Sequence, residues 1–128
     1  MRKNLLLLAV ISMALISCQK NENLVELRFC ADVIPSNPCV GQDTIFMRGT
    51  DVWAQLLIKP GFKDTAVIGK IYGFQNGERV FIENKVHLLD EGEKIVMEAI
   101  FLNTCGNFEV EFYDTKGKLL ARKGFEIL

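Results

Sequence analysis

Residues 106–114 read Gly106-Asn107-Phe108-Glu109-Val110-Glu111-Phe112-Tyr113-Asp114. Side chains alternate across an extended chain with a period of two, so Phe108, Val110 and Phe112 share one face and Glu109 and Glu111 the other. A helix would scatter the same five residues around its axis. The stretch therefore predicts a half-buried β-strand with its apolar face inward and its carboxylates toward solvent. The same alternation appears upstream, where Val25, Leu27 and Phe29 are interleaved with Glu26 and Arg28. Between such runs lie Pro60-Gly61, Asn76-Gly77, Asp90-Glu91-Gly92, Cys105-Gly106-Asn107 and Lys116-Gly117, residue types that tolerate the backbone conformations of tight turns.

The strands predicted from this rhythm cover roughly 24–30, 42–48, 51–59, 65–74, 79–88, 94–102, 107–114 and 117–127. No window of helical length carries a convincing apolar stripe. Seven or eight strands joined by short turns, without crossover helices, cannot build a parallel sheet. The expected fold class is all-β, a single antiparallel β-sandwich over residues 24–128, with a small barrel as the competing closure.

The chain has 128 residues, enough for one domain and one core. At 49% hydrophobic and 24% charged it is globular in composition. Residues 1–17 begin with Arg2 and Lys3 and continue as a mostly apolar run from Leu5 to Ile16, the pattern of a secretory signal peptide and short for a bilayer-spanning helix. Without Arg2 and Lys3, the 15 basic residues become 13 against 16 acidic ones, a net charge of −3. No basic footprint remains for nucleic acid, and none is expected as a partner.

Leu15-Ile16-Ser17-Cys18 resembles the lipobox of bacterial lipoproteins: an aliphatic residue, a tolerant position, a small residue, then cysteine. The resemblance implies that the Cys18 thiol carries a diacylglycerol, that the chain is cut just before it, and that the new amino terminus gains a further acyl chain. More than one acyl chain makes release from a membrane slow. Residues 18–23 would then be the lipidated cysteine and a short polar tether. Lys20 followed by Glu22 is similar to the surface-export signal of Bacteroidota lipoproteins, which points to the outer membrane, on its periplasmic or its cell-surface face. The tail from Gly106 to Ile127 resembles the last hairpin of immunoglobulin-like domains in bacterial envelope proteins, and Val40-Gly41-Gln42-Asp43-Thr44-Ile45-Phe46 resembles the start of their second strand. That architecture names no activity.

Cys30, Cys39 and Cys105 follow Cys18, in a compartment where disulfides persist. Three thiols allow one bridge. The first candidate is Cys30–Cys39, whose intervening segment holds Pro35 and Pro38 and folds back on itself. Under the immunoglobulin-like resemblance, Cys39–Cys105 is the competitor, because the loops before the second and sixth core strands share one end. Cys30–Cys105, or no bridge at all, is what remains. Whichever cysteine is left over is expected to be a buried, inert thiol.

Metal and catalytic chemistry find little material. There is no CxxC and no histidine pair, so no metal site and no cofactor are expected. His87 is the single histidine, placed by its neighbours Val86 and Leu88 on the solvated face of a strand; Ser36, between two prolines, lacks a nucleophile elbow. Glu109 and Glu111 have the spacing of a solvated sheet face, and Asp90, Glu91 and Glu93 that of a polar turn. No enzymatic activity is expected.

Binding is the remaining class. If Val52, Ala54, Leu56 and Ile58 form the inward face of their strand, Trp53 stands on the outer face and is a candidate binding residue. Phe62 and Lys63, on the loop after Pro60-Gly61, are the second candidates. An open edge strand, 24–30 or the last strand, is where a partner strand would add. The expected function is a membrane-anchored, non-enzymatic envelope lipoprotein acting as a protein-interaction or assembly module. The alternatives are a glycan- or small-ligand-binding surface lipoprotein and an inhibitor of an exogenous hydrolase. The last reading uses loop 31–41, where Asn37-Pro38-Cys39-Val40-Gly41 resembles one loop of the chagasin-like protease inhibitors; that family's Gly-x-Gly-Gly and Arg-Pro-aromatic motifs do not occur in this chain.

Overall fold

The structure is a computed structural model that describes residues 24–128. The expected signal peptide, tether and lipidation at Cys18 fall on residues 1–23, outside the described residues. Ten strands form, with no helix among the described residues. They are β1 (Val25–Cys30), β2 (Asp32–Ile34), β3 (Asn37–Val40), β4 (Ile45–Phe46), β5 (Val52–Ile58), β6 (Ala66–Gln75), β7 (Glu78–Leu88), β8 (Ile95–Ile100), β9 (Gly106–Tyr113) and β10 (Leu119–Ile127). The count exceeds the expected seven or eight because residues 31–41, read as a loop, fold into the hairpin β2–β3. Pro35 and Pro38 hid it, since proline within a run argues against a strand.

A three-stranded sheet has the order β1-β5-β8 and a five-stranded sheet the order β4-β10-β9-β6-β7. All pairings are antiparallel except β4 with β10, which is parallel over Ile45 and Phe46. The two sheets share one core, as in a sandwich. Val25, Leu27, Phe29, Ala54, Leu56, Val96 and Ile100 come from the first sheet, and Val67, Ile71, Phe108, Val110, Phe112, Phe125 and Ile127 from the second. Burying each large side chain of this set contributes roughly 1.5–3 kcal/mol. Phe125 sits at the centre of the aromatic packing, 4.8 Å from Phe29 and 5.5 Å from Phe108 between ring centroids.

The β6–β7 turn shows why the chain reverses where it does. Asn76 and Gly77 adopt φ values of 52° and 79°, the paired positive angles of a two-residue hairpin turn whose twist matches the flanking strands. The strand directions give the molecule two ends. One end gathers Leu24 and loops 59–65, 89–94 and 114–118, and the Lys59 N–H donates to the Leu24 carbonyl at 2.8 Å. The other end holds the β2–β3 hairpin, turn 76–77, segment 101–105 and the carboxyl terminus.

Candidate functional site: the outer face of the five-stranded sheet

The residues singled out in the sequence fall in three separate places. Cys30 and Cys39 are joined by a disulfide across 5.2 Å between Cα atoms, which closes the β2–β3 hairpin at its base. The hairpin lies against the outer face of the three-stranded sheet, where the Gln55 amide donates to the Pro38 carbonyl at 3.0 Å and Arg28 donates to the Gln55 carbonyl oxygen. Gln55 is fully buried by this cover. Trp53, opposite Cys30 in the register, is on the outer face, because Val52, Ala54 and Leu56 point inward, but it is half-buried. Cys105 is exposed at the far end, which corrects the expectation of a buried third thiol.

Phe62 and Lys63 separate two grooves at the end where Leu24 begins. One, of about 480 Å³, runs between loops 59–65 and 89–94; the other, of about 440 Å³, runs between Leu24, loop 59–65 and loop 114–118. Phe62 is half-buried and packs against the core, whereas Lys63 is exposed. Asp64 ties the loops together. It accepts from the Thr115 N–H at 2.9 Å and from the Thr115 hydroxyl at 2.8 Å. The backbone N–H of Thr115 and then its hydroxyl hold the Asp64 carboxyl below the usual carboxylate range.

The densest surface chemistry lies elsewhere, on the outward side of β6, β7, β9 and β10. Glu109, Glu111 and Tyr113 alternate with the inward Phe108, Val110 and Phe112. Their face was read as solvated, yet Glu111 has no exposed surface. Arg122 donates from Nε to Glu111 Oε2 at 2.7 Å and doubles the contact through its second nitrogen, while Arg79 reaches Glu111 Oε1 at 3.2 Å and Glu109 Oε1 at 3.1 Å. Burial pushes the Glu111 carboxyl up, but the hydrogen bond and charge of Arg122, with the charge of Arg79, outweigh it and leave it below its ordinary value. The Arg79 guanidinium also lies 4.1 Å over the Tyr72 ring, and Lys70 Nζ 4.7 Å over the Tyr113 ring. Burial first, then the Glu111 charge, raise the phenol of Tyr72; burial and the Glu111 hydrogen bond do the same for Tyr113.

Beside this polar cluster stands an apolar row. Phe81 packs edge-on against Tyr72 at 5.8 Å. A bulge opposite Ile71 and Tyr72 makes Ile82 the extra residue and turns Phe81 to the same outward face as Val86 and Leu88. Phe81, Val86 and Leu88 are 53%, 63% and 79% exposed. They lie on β7, the free edge of the five-stranded sheet. Single exposed apolar residues are ordinary, but a row beside two tyrosines and two arginines has the composition of an interface core. The edge itself also differs from expectation. β1 is an edge strand, but the last strand, β10, is interior, because the short β4 pairs alongside it. The sequence carried one signal for β7: the contiguous run Val80-Phe81-Ile82, which breaks the alternation on either side.

His87 corrects a further expectation. In register with the inward Val67, it points into the sandwich, 6.2 Å from the Phe112 ring, and its Nε2 lies 3.6 Å from Glu98 Oε2. That separation is within reach of charge and too long for a hydrogen bond. Both Glu98 oxygens and His87 Nε2 are buried without a hydrogen-bond partner among the described residues. Gly69 makes room for the carboxylate: a Cβ there would meet Glu98 Oε2 at 2.5 Å. The remaining polar groups are dispersed. Ser36 is in the β2–β3 turn, Cys105 is exposed at the far end, and His87 nears the opposite end of β7. Among the described residues no three His, Cys, Asp or Glu side chains cluster as metal ligands.

No family model matches the chain, and no curated protein matches it. Among solved structures it is similar to the superoxide reductase (neelaredoxin) from Ignicoccus hospitalis, with 14% sequence identity and a TM-score of 0.46, over 67% of this chain and 76% of that one. So loose a likeness carries no functional inference.

Proposed function

We propose that the protein is a tethered, non-enzymatic interaction module of a bacterial envelope, an immunoglobulin-like domain that binds another protein through the outward face of β6 and β7. The observation that carries the reading is the exposed row Phe81, Val86 and Leu88 beside Tyr72, Tyr113, Arg79 and Arg122, on a strand whose outer edge is free. Aromatic side chains and arginine dominate interface energetics because they bury much area at small entropic cost. The arginines here are pre-organised by Glu111 and Glu109, which lowers the cost of ordering them on binding.

The immunoglobulin-like assignment draws support from the strand order. β1-β5-β8 facing β4-β10-β9-β6-β7, with the short β4 parallel to the last strand, is the arrangement of such sandwiches. The tether reading draws support from Leu15-Ile16-Ser17-Cys18. An outer-membrane lipid anchor on Cys18, facing the periplasm or the cell exterior, would confine the domain to a surface and raise its effective concentration against envelope partners. Because Leu24, just before β1, lines one of the two grooves, the anchor would attach at that end and leave the β7 flank beside it.

A second reading, glycan or small-ligand binding, has a specific observation behind it: the two grooves flanking Phe62 and Lys63. The inhibitor reading draws on the 31–41 hairpin, whose tip from Ile34 to Pro38 is exposed while Gln55 holds the Pro38 carbonyl. Affinity capture from cells with a tagged full-length chain separates these. Loss of a stoichiometric partner in Phe81→Arg, with retention in Phe62→Ala, is the expected result. The reverse pattern would move the site to the grooves.

A further inference from the structure

We propose that a second copy of this chain pairs with β7, strand to strand, about a twofold axis through Asn84. The proposal rests on the reading of this flank as an interaction surface and names its occupant. β7 is eleven residues long, bonded to β6 on one side and to no strand on the other, and its residues from Glu78 to Asn84 are all exposed. Read outward from Asn84, its sequence is self-complementary. Glu83 precedes the centre and Lys85 follows it; Val80, Phe81 and Ile82 lie on one side, Val86 and Leu88 on the other. An antiparallel pairing centred on Asn84 sets Glu83 of each copy opposite Lys85 of the other, twice over, and lays the two apolar halves against each other.

The faces agree with this pairing. Glu83 and Lys85 stand opposite Ile71 and Gly69, both inward-facing, so they share one side of the strand, and a twofold axis perpendicular to the sheet keeps that side in common. Within one copy the two side chains approach to 3.6 Å while both stay about half exposed, and Lys85 also donates to the Ala99 carbonyl at 3.4 Å; exchanging partners across the axis keeps the charge pairing. The bulge at Ile82 leaves Glu83–Leu88 regular, so Glu83, Asn84 and Lys85 of the two copies pair in an undistorted register across the axis. The β7 edge is long, and across the twofold its central charges meet opposite charges a second time. Joining the copies would make a continuous sheet of twice five strands and bring both Phe81-Val86-Leu88 rows onto one surface.

The test is sedimentation equilibrium of the full-length chain in density-matched detergent, over a range of concentrations. The parent is expected to dimerise. Glu83→Lys and Lys85→Glu, each setting like charges opposite one another twice, should each weaken the dimer by about tenfold, and the double reversal E83K/K85E should restore it. In a Cys105→Ser background, Asn84→Cys should form a disulfide-linked dimer and Glu78→Cys should not. A dimer indifferent to both single reversals would overturn the proposal. So would a parent that stays monomeric at every concentration. If that monomer still captures a different protein through Phe81, the interaction reading stands without self-pairing; if it captures nothing, both fall.

Discussion

Replacing Glu98 by methionine should make this protein more stable. The Glu98 side chain is fully buried, its two oxygens meet no donor among the described residues, and the nearest polar atom, His87 Nε2, is 3.6 Å away. A buried acceptor left unpaired costs about 1–3 kcal/mol, and a charged one more. Methionine has a similar length and no polar atom, and it fills irregular space between Ala54, Gly69 and Phe112. The expected gain is therefore about 1–3 kcal/mol. For a domain of this size that raises Tm by about 4 °C per kcal/mol. Calorimetry and urea titration at neutral pH measure it. A companion series isolates the histidine. His87→Leu should cost more in the parent than in the Glu98→Met background, because only the parent holds the 3.6 Å contact. A Glu98→Met protein that loses a kcal/mol or more would refute the reasoning, because it would mean the carboxylate is satisfied where it lies.

Three further outcomes follow from the same geometry. Cys30→Ser with Cys39→Ser opens a loop of ten residues and should lower stability by roughly 3 kcal/mol in the chain-entropy model; as Trp53 is the single tryptophan and stands opposite Cys30, its fluorescence should shift in the folded variant. Glu111 has a folded value below its unfolded one, so its contribution is complete above the unfolded carboxylate range and is lost as pH falls through the folded value; Glu111→Gln should reduce stability at neutral pH and flatten that acidic limb in pH-resolved denaturation. Gly69→Ala should destabilise by more than a typical strand substitution, since the new Cβ meets Glu98 Oε2 at 2.5 Å and the Phe112 ring at 3.0 Å, and Glu98→Ala should relieve part of the loss in a double-mutant cycle.

The period-two pattern made most strands readable. Val25-Leu27-Phe29 and Phe108-Val110-Phe112 face the core as their alternation requires, and Asn76-Gly77 turns where two hairpin residues with positive φ are needed. The Cys30–Cys39 bridge was likewise readable, because two cysteines nine residues apart around two prolines form a local loop. What stayed hidden was non-local. Alternation assigns a residue to a face without saying what covers that face. Glu111 looked solvated until Arg79 and Arg122, 32 and 11 residues away in sequence, closed over it. Glu98 alternates with Met97 and Ala99 in an apolar strand, and only the opposing sheet reveals that a carboxylate lies in the core. Alternation with Val86 and Leu88 predicts a solvated His87 only where the apolar residues face the core; at a free edge they face outward instead and the histidine turns in. Which strand forms the edge depends on sheet order, and β4 removes the last strand from that role with two residues.

The most direct test of the interaction face is site-specific photo-crosslinking of the full-length chain in cells, with the reactive group placed in turn at Phe81, Val86, Lys63 and Glu26. The account predicts protein adducts from positions 81 and 86 and none from 63 or 26. Adducts confined to Lys63 or Glu26, with positions 81 and 86 silent, would contradict it and place the partner on the grooved end or on the β1 edge.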